Sequence, residues 1–257
     1  MTIGKRFTGE QPIALVTGCA RRVGRAITLE LARAGCDIVG TYNTRQDDAA
    51  SLAQEIESLG CAITTDRVPL DDPDAAMRWA SDLCDSLPRL DVLIHNASAY
   101  APTPLDTLSA DEAERFYRIN AVSPLLLSSA CAAKLKSSPM PIGGAIVAMS
   151  DIHAIGRPRA SHIAYAMSKA ALTEMVRTLA VDMAPAVRVN AVAPGVVAFP
   201  ESGYESDAEM QARYLSRVPM ARSGTVEEAA QAVRWLALEA SYTTGQILRV
   251  DGGRWLG

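Results

Sequence analysis

Short runs rich in valine, isoleucine and leucine alternate along this chain with longer stretches whose apolar positions recur every three or four residues. The short runs predict strands at 12–17, 37–42, 62–68, 91–96, 144–150, 187–193 and 246–250. The longer stretches predict helices near 23–34, 46–59, 73–87, 110–136, 162–184 and 225–239. In the first helix Ala26, Ile27, Leu31 and Ala34 fall on one face. Strand and helix alternating to the end of the chain predict an α/β fold: a doubly wound parallel sheet of about seven strands with helices on both faces. The stretch 198–222 breaks the pattern and carries Pro200, Gly203 and Pro219. It follows a sheet strand on the edge where open α/β sheets bind ligands, which predicts a mobile segment covering a substrate.

Composition narrows the class. A chain of 257 residues is long enough for one large domain spanning 1–257. The net charge of −4 is mixed along the chain with no basic stripe, so no nucleic-acid partner is expected. There is no cleavable leader pattern and no apolar run long enough to span a bilayer, so no membrane association is expected and a cytoplasmic location is. The five cysteines are scattered without a Cys-x-x-Cys, as in a reduced compartment. The three histidines lie far apart, so no metal site is expected; His95, His153 and His162 read as structural, and Trp235 and Trp255 as packing residues.

Candidate chemistry gathers at a few places. The apolar run Ile13–Val16 ends in Thr17-Gly-Cys-Ala-Arg-Arg-Val-Gly24 and a helix follows. A glycine-containing turn between strand and helix brings backbone close to a pyrophosphate at the positive helix end. The second strand ends in Gly40-Thr-Tyr-Asn-Thr-Arg45, without the acidic residue that would bind a ribose 2′-hydroxyl. Arg21 and Arg45 are placed to meet a 2′-phosphate instead, which predicts NADPH/NADP+ as coenzyme. Tyr165 and Lys169 stand one helical turn apart. A lysine beside a phenol stabilises the phenolate and draws its pKa down from about 10, making a proton donor for a carbonyl or imine.

Taken together these features resemble the short-chain dehydrogenase/reductase family over nearly the whole chain. The resemblance rests on the turn Thr17–Gly24, His95-Asn-Ala-Ser98, Asn120 in Arg118-Ile-Asn-Ala-Val122, the Tyr165/Lys169 pair, Pro194-Gly195, and Thr244-Gly-Gln246 with Val250-Asp-Gly-Gly253. It implies a single-domain Rossmann fold with a coenzyme-binding half at about 10–150 and a catalytic and substrate-loop half at about 151–257. It also implies coenzyme contacts from Gly18, Arg21, Arg22, Val23, Gly24, Arg45, Leu70, Asn96, Ala97, Ser98, Tyr165, Lys169, Pro194, Gly195 and Val197. Leu70 enters because Pro69 stands where the family often has an aspartate, leaving backbone to meet the adenine. The catalytic set implied is Asp151, Tyr165, Lys169 and Asn120, with Asn120 holding a water that links Lys169 to solvent. The long helices 110–136 and 162–184 resemble those that pair subunits in the family, implying a homotetramer or a dimer.

Two departures point to one branch. Arg22 replaces a usual glycine and Asp151 a usual serine, as in pteridine reductases and dihydromonapterin or dihydrofolate reductases; the stretch Asn96–Leu105, with Tyr100, resembles that branch too. The interval from Asp151 to Tyr165 is one residue longer than usual, so Ser150 also competes for the serine's place. An ionised aspartate only accepts hydrogen bonds, which suits a substrate rich in N–H groups such as a pterin. Substrate contacts are expected from Arg22, Ser98, Tyr100, Asp151 and Tyr165. Two other readings stand beside this one: a 3-oxoacyl-carrier-protein or other carbonyl reductase, and a NADP(H)-binding sensor without turnover.

Overall fold

The computed structural model describes residues 6–199 and 206–256. Seven parallel strands form one sheet: β1 (Ile13–Val16), β2 (Asp37–Tyr42), β3 (Ile63–Arg67), β4 (Val92–His95), β5 (Gly144–Met149), β6 (Val187–Pro194) and β7 (Ile247–Val250). Their order is β3-β2-β1-β4-β5-β6-β7. Every strand matches an expected one to within a residue or so at either end. The direction of winding reverses between β1 and β4, and an open sheet of this kind has its crevice at that reversal, outside the carboxyl ends of the strands.

The apolar runs are continuous because the central strands are covered on both faces. Ile13 and Leu15 pack with Leu93, Ile146 and Val189 toward one helix layer, α3 (Pro73–Ser86), α5 (Ser123–Lys136) and α6 (Ile163–Met183). Ala14 and Val16 pack with Ile94, Val147 and Val192 toward the other, α1 (Arg22–Arg33), α2 (Gln46–Ser58) and α8 (Val226–Leu238). Alternate residues of one strand thus feed opposite layers.

Local signals fix the helix starts. Asp72 caps α3 ahead of Pro73, and Thr225 with Glu228 forms a reciprocal capping box on α8. Buried Arg188 closes the other end of α8, donating to the carbonyls of Leu236, Ala237 and Ala240.

Two expectations change. The stretch 110–136 is not one α-helix: α4 (Ala110–Tyr117) passes through a wider π-turn, Arg118–Val122, into α5. Asn120, with its side chain fully buried, sits in that turn. The stretch 198–222 holds a helix the pattern did not predict, α7 (Ala208–Leu215), started by an Asp207 cap. None of the residues of α7 is buried, so it has no apolar stripe for a pattern to detect. Residues 200–205 lie outside the described residues, and so does that part of the expected covering segment. Among the described residues no helix is long and apolar enough to cross a membrane.

Candidate active site

The crevice is a cavity of about 520 Å³. Its floor is the turn after β1. Gly18 has φ +66°, and a Cβ at Gly24 would lie 2.0 Å from the Gly18 carbonyl oxygen and 2.5 Å from Asn96 Nδ2. Asn96 explains the tightness: its Nδ2 donates to the carbonyls of Thr17 and Gly18, both at 3.0 Å. Thr17 Oγ1 in turn accepts from the backbone N–H of Asn96 and Ala97. The strand end of β4 therefore clamps the turn of β1, and Thr17 belongs to this cradle although its side chain escaped the sequence reading.

No side chain caps the start of α1, where Arg21 stands in extended conformation. The first N–H groups of that helix face an anion site with no internal acceptor. A close-packed glycine turn, an uncapped helix end and Arg21 on the cavity wall fit the pyrophosphate and phosphates of a dinucleotide. Arg21 also pairs with Asp48 at 3.6 Å. Val23, Ala97, Pro194, Gly195 and Val197 line the same cavity.

Other expected coenzyme residues fall differently. Arg45 is exposed at the start of α2 and lines neither this cavity nor the smaller one beside it. That smaller cavity, about 160 Å³, lies between Gly18, Tyr42, Leu70 and Asp71. Leu70 is there, but its carbonyl already accepts from Ser123 Oγ at 2.7 Å. Arg22 sits in the left-handed region at φ +50° and its Nη2 donates to the carbonyls of Ala198 and Phe199, at 2.7 and 3.2 Å. Its guanidinium thus ties the segment after β6 to the coenzyme turn, and Arg22 lines the cavity.

At the heart of the cavity Tyr165 Oη donates to Asp151 Oδ2 at 2.7 Å. Asp151 Oδ1 accepts from the His153 backbone N–H, starting a short 3₁₀ turn at Ile152–Ala154. Ser150 faces the other way: its hydroxyl is buried against Thr173 Oγ1 at 2.7 Å. Asp151 and not Ser150 therefore meets the tyrosine.

The Tyr165/Lys169 expectation needs correction. Burial, and then the Asp151 carboxylate, push the Tyr165 phenol well above its ordinary value instead of lowering it. Lys169 does not offset this rise: its ammonium donates to the Met149 carbonyl at 2.7 Å. Burial pulls Lys169 itself down to about 8, with Asp151 opposing.

The Asn120 side chain is bonded into the cavity wall. Its Nδ2 donates to Ala99 O and Ser168 Oγ, and its Oδ1 accepts from Ala99 N–H and Ser98 Oγ. The side-chain amide has used its two donors and two acceptor sites. It fixes the Ser98–Ala99 wall; the Ser98 hydroxyl donates to Asn120 Oδ1 or to the Ala99 carbonyl, both at 3.1 Å, and keeps its acceptor lone pairs.

Tyr100 is where a substrate-contacting aromatic was expected. Its ring meets Tyr165 edge-on with centroids 4.9 Å apart and His162 at 5.3 Å. Three further lining residues had no readable motif: Arg159, whose guanidinium carbon lies 5.9 Å from the Tyr100 ring centre, and Met210 and Tyr214 on α7. Tyr214 Oη accepts from the Val196 N–H at 3.2 Å, which seats α7 against the Pro194-Gly195 strand end. His95 is structural: it bonds Ser128 Oγ at 2.8 Å, and burial followed by the Lys169 charge pushes it down to about 3.

Known proteins resemble this chain along nearly its whole length. Residues 18–254 match the family model described as enoyl-(acyl carrier protein) reductase. The 3-oxoacyl-[acyl-carrier-protein] reductase of Buchnera aphidicola is 30% identical, the match covering 96% of this chain and 98% of that one. The 2-dehydro-3-deoxy-D-gluconate 5-dehydrogenase of Pseudoalteromonas atlantica is 29% identical over 98% of this chain and 99% of its own. Among solved structures, a blue fluorescent protein from a metagenomic library, in complex with NADPH, superposes with a TM-score of 0.86 at 32% identity, covering 95% of this chain and 97% of its own.

Proposed function

We infer the function from one premise: the chain belongs to the short-chain dehydrogenase/reductase family and is an NAD(P)-dependent oxidoreductase. From there we propose an NADPH-dependent reductase of a pterin-type substrate, such as a dihydropterin or dihydrofolate. Arg21 on the cavity wall, the lack of an acid at the end of β2 and the NADPH held by the solved relative support the coenzyme. The observation that carries the substrate is Asp151 at 2.7 Å from the Tyr165 hydroxyl, where the family has a serine. A serine would donate to a ketone oxygen; a carboxylate accepts from ring and exocyclic N–H groups.

Gly18, Arg21 and Gly24 would hold the coenzyme, with Lys169 lining the same cavity, and the bound coenzyme would supply hydride for reduction of a C=N bond. The protein's share is positioning and one proton. In the resting site the phenol of Tyr165 is held protonated by burial and by the Asp151 carboxylate, so it is a loaded donor. Substrate N–H groups occupying Asp151 free the Tyr165 hydroxyl to turn toward the ring nitrogen and deliver its proton there. The ammonium of Lys169 has two N–H bonds beyond the one to Met149, and it balances the phenolate left behind. Asp151, open to the cavity, returns a proton to Tyr165 from solvent.

Tyr165→Phe tests this chemistry. Its turnover should fall at least about 100-fold, the usual contribution of a general acid, with the Kd for NADPH near wild type. Unchanged turnover would remove the tyrosine from the mechanism. A second reading, reduction of a 3-oxoacyl thioester, draws support from the Buchnera relative; substrate preference separates the two. Exposed apolar residues on α5 and α6, Leu125, Ile163, Met167 and Val181, support assembly as a homotetramer or dimer, which light scattering would measure.

A further inference from the structure

We propose that Arg159 is a specificity-determining residue that receives a carboxylate at the far end of the substrate from the group undergoing reduction. The proposal rests on the reductase reading and adds to it the substrate's charge.

The segment carrying Arg159 is held at both ends. At its start Asp151 caps the Ile152–Ala154 turn and His153 Nδ1 bonds the Arg157 carbonyl at 2.8 Å. Gly156 lies under Trp255, where an added Cβ would come within 2.9 Å of the indole, and Arg157 reaches the Trp255 carbonyl. At its end the Ser161 carbonyl accepts from Thr103 N–H, and His162 pairs beside Thr103. The extra residue between Asp151 and Tyr165 is therefore absorbed by an anchored excursion that sets Arg159 on the cavity wall next to Tyr100.

The cations around this cavity divide by position. Arg21 and Arg22 belong to the coenzyme turn, and Arg22 is engaged by the Ala198 and Phe199 carbonyls. Lys169 is buried on the Met149 carbonyl. Arg159 stands on the substrate side, its guanidinium carbon 5.9 Å from the Tyr100 ring centre. Burial raises Tyr100, Tyr165 and Tyr214, and the Arg159 charge opposes that rise at all three.

The cavity is thus dipolar: a carboxylate, Asp151, beside the reacting tyrosine, and a guanidinium past the Tyr100 ring. A flat head with N–H donors and a tail ending in an anion matches both ends. A single guanidinium suits a carboxylate through a two-point fork. The substrate class that follows is a pterin with an acidic tail, in preference to one with a neutral polyol tail.

The test compares substrate pairs that differ in tail charge, using purified enzyme saturated with NADPH: dihydrofolate against dihydrobiopterin, and 5-oxohexanoate against its ethyl ester. In Arg159→Gln the ratio of kcat/KM for the anionic member over the neutral one should fall about tenfold, through KM, as expected for a partly exposed charged hydrogen bond. Arg159→Lys should restore part of the ratio, and rising salt should lower it in the wild type. An unchanged ratio, or an equal loss on both members, overturns the proposal; the second result would mean that Arg159 only positions Tyr100. If the keto acid pair alone turns over, the pterin reading fails while the Arg159 ratio is still read. If neither pair turns over, calorimetric binding of folate and biopterin to the NADP+ complex reads the same preference, and equal binding, or none, overturns the proposal.

Discussion

Replacing Asp151 with asparagine keeps the size of the side chain and removes its charge. The Tyr165 oxygen lies 2.7 Å from Oδ2. Two unit charges at that separation repel by about 6 kcal/mol at an effective dielectric of about 20. While Asp151 is ionised, then, Tyr165 does not lose its proton without an incoming group that takes over the carboxylate. In Asp151→Asn that barrier to ionisation is gone, but so is the acceptor for the substrate's N–H groups. Loss of a group acting in proton transfer costs about 100-fold at the low end. We expect kcat/KM for dihydropterin reduction to fall about 100-fold, about 2.7 kcal/mol of transition-state stabilisation. The phenol should also titrate at lower pH, visible as the tyrosinate absorbance in an alkaline titration against a Tyr165→Phe control. Equal pterin turnover in wild type and Asp151→Asn, or a phenol titration that does not move, would refute the reasoning.

Three further outcomes are expected. Lys169 is depressed to about 8, so its ammonium is present below that pH and lost above it; turnover that depends on it should decline as pH rises through about 8, and Lys169→Arg should move the decline upward. Gly24→Ala places a methyl 2.0 Å from a backbone oxygen that Asn96 holds in place, so the Kd for NADPH should rise at least tenfold with a stability loss of about 1–3 kcal/mol, read by fluorescence titration and thermal melting. His95 binds its proton more weakly when folded, at about 3 against an ordinary 6.5, so the unfolded chain takes up the extra proton as pH falls below 6.5. Stability should therefore fall toward acid by at most about 1.4 kcal/mol per pH unit, and urea melts of His95→Asn should show a shallower loss.

How far the sequence reaches can be seen element by element. The runs Ile13–Val16, Val92–His95 and Gly144–Met149 are apolar throughout because helices cover both faces, and a continuous run with punctuation at each end is readable. The π-turn at Arg118–Val122 is not, since one extra residue in a helical turn leaves the spacing of apolar positions nearly unchanged. Helix α7 hides for the opposite reason: it is held by Tyr214 and a cap, without a buried face. In the site, residue identity located Asp151, Tyr165, Tyr100 and the glycine turn. Direction was not legible. That Lys169 turns to the Met149 carbonyl, Arg22 to Ala198 and Phe199, and Asn120 to Ala99 depends on which acceptors the fold brings near, and spacing along one helix carries no record of them.

On the proposed function, the carboxylate beside Tyr165 selects N–H-rich heterocycles for reduction. Steady-state NADPH oxidation by the wild-type protein on 7,8-dihydrobiopterin, set against an acetoacetyl thioester under the same conditions, tests it most directly. The expected result is a larger kcat/KM on the pterin. A larger value on the thioester would contradict it, and would leave the fold and the coenzyme cradle standing while removing Asp151 from substrate recognition.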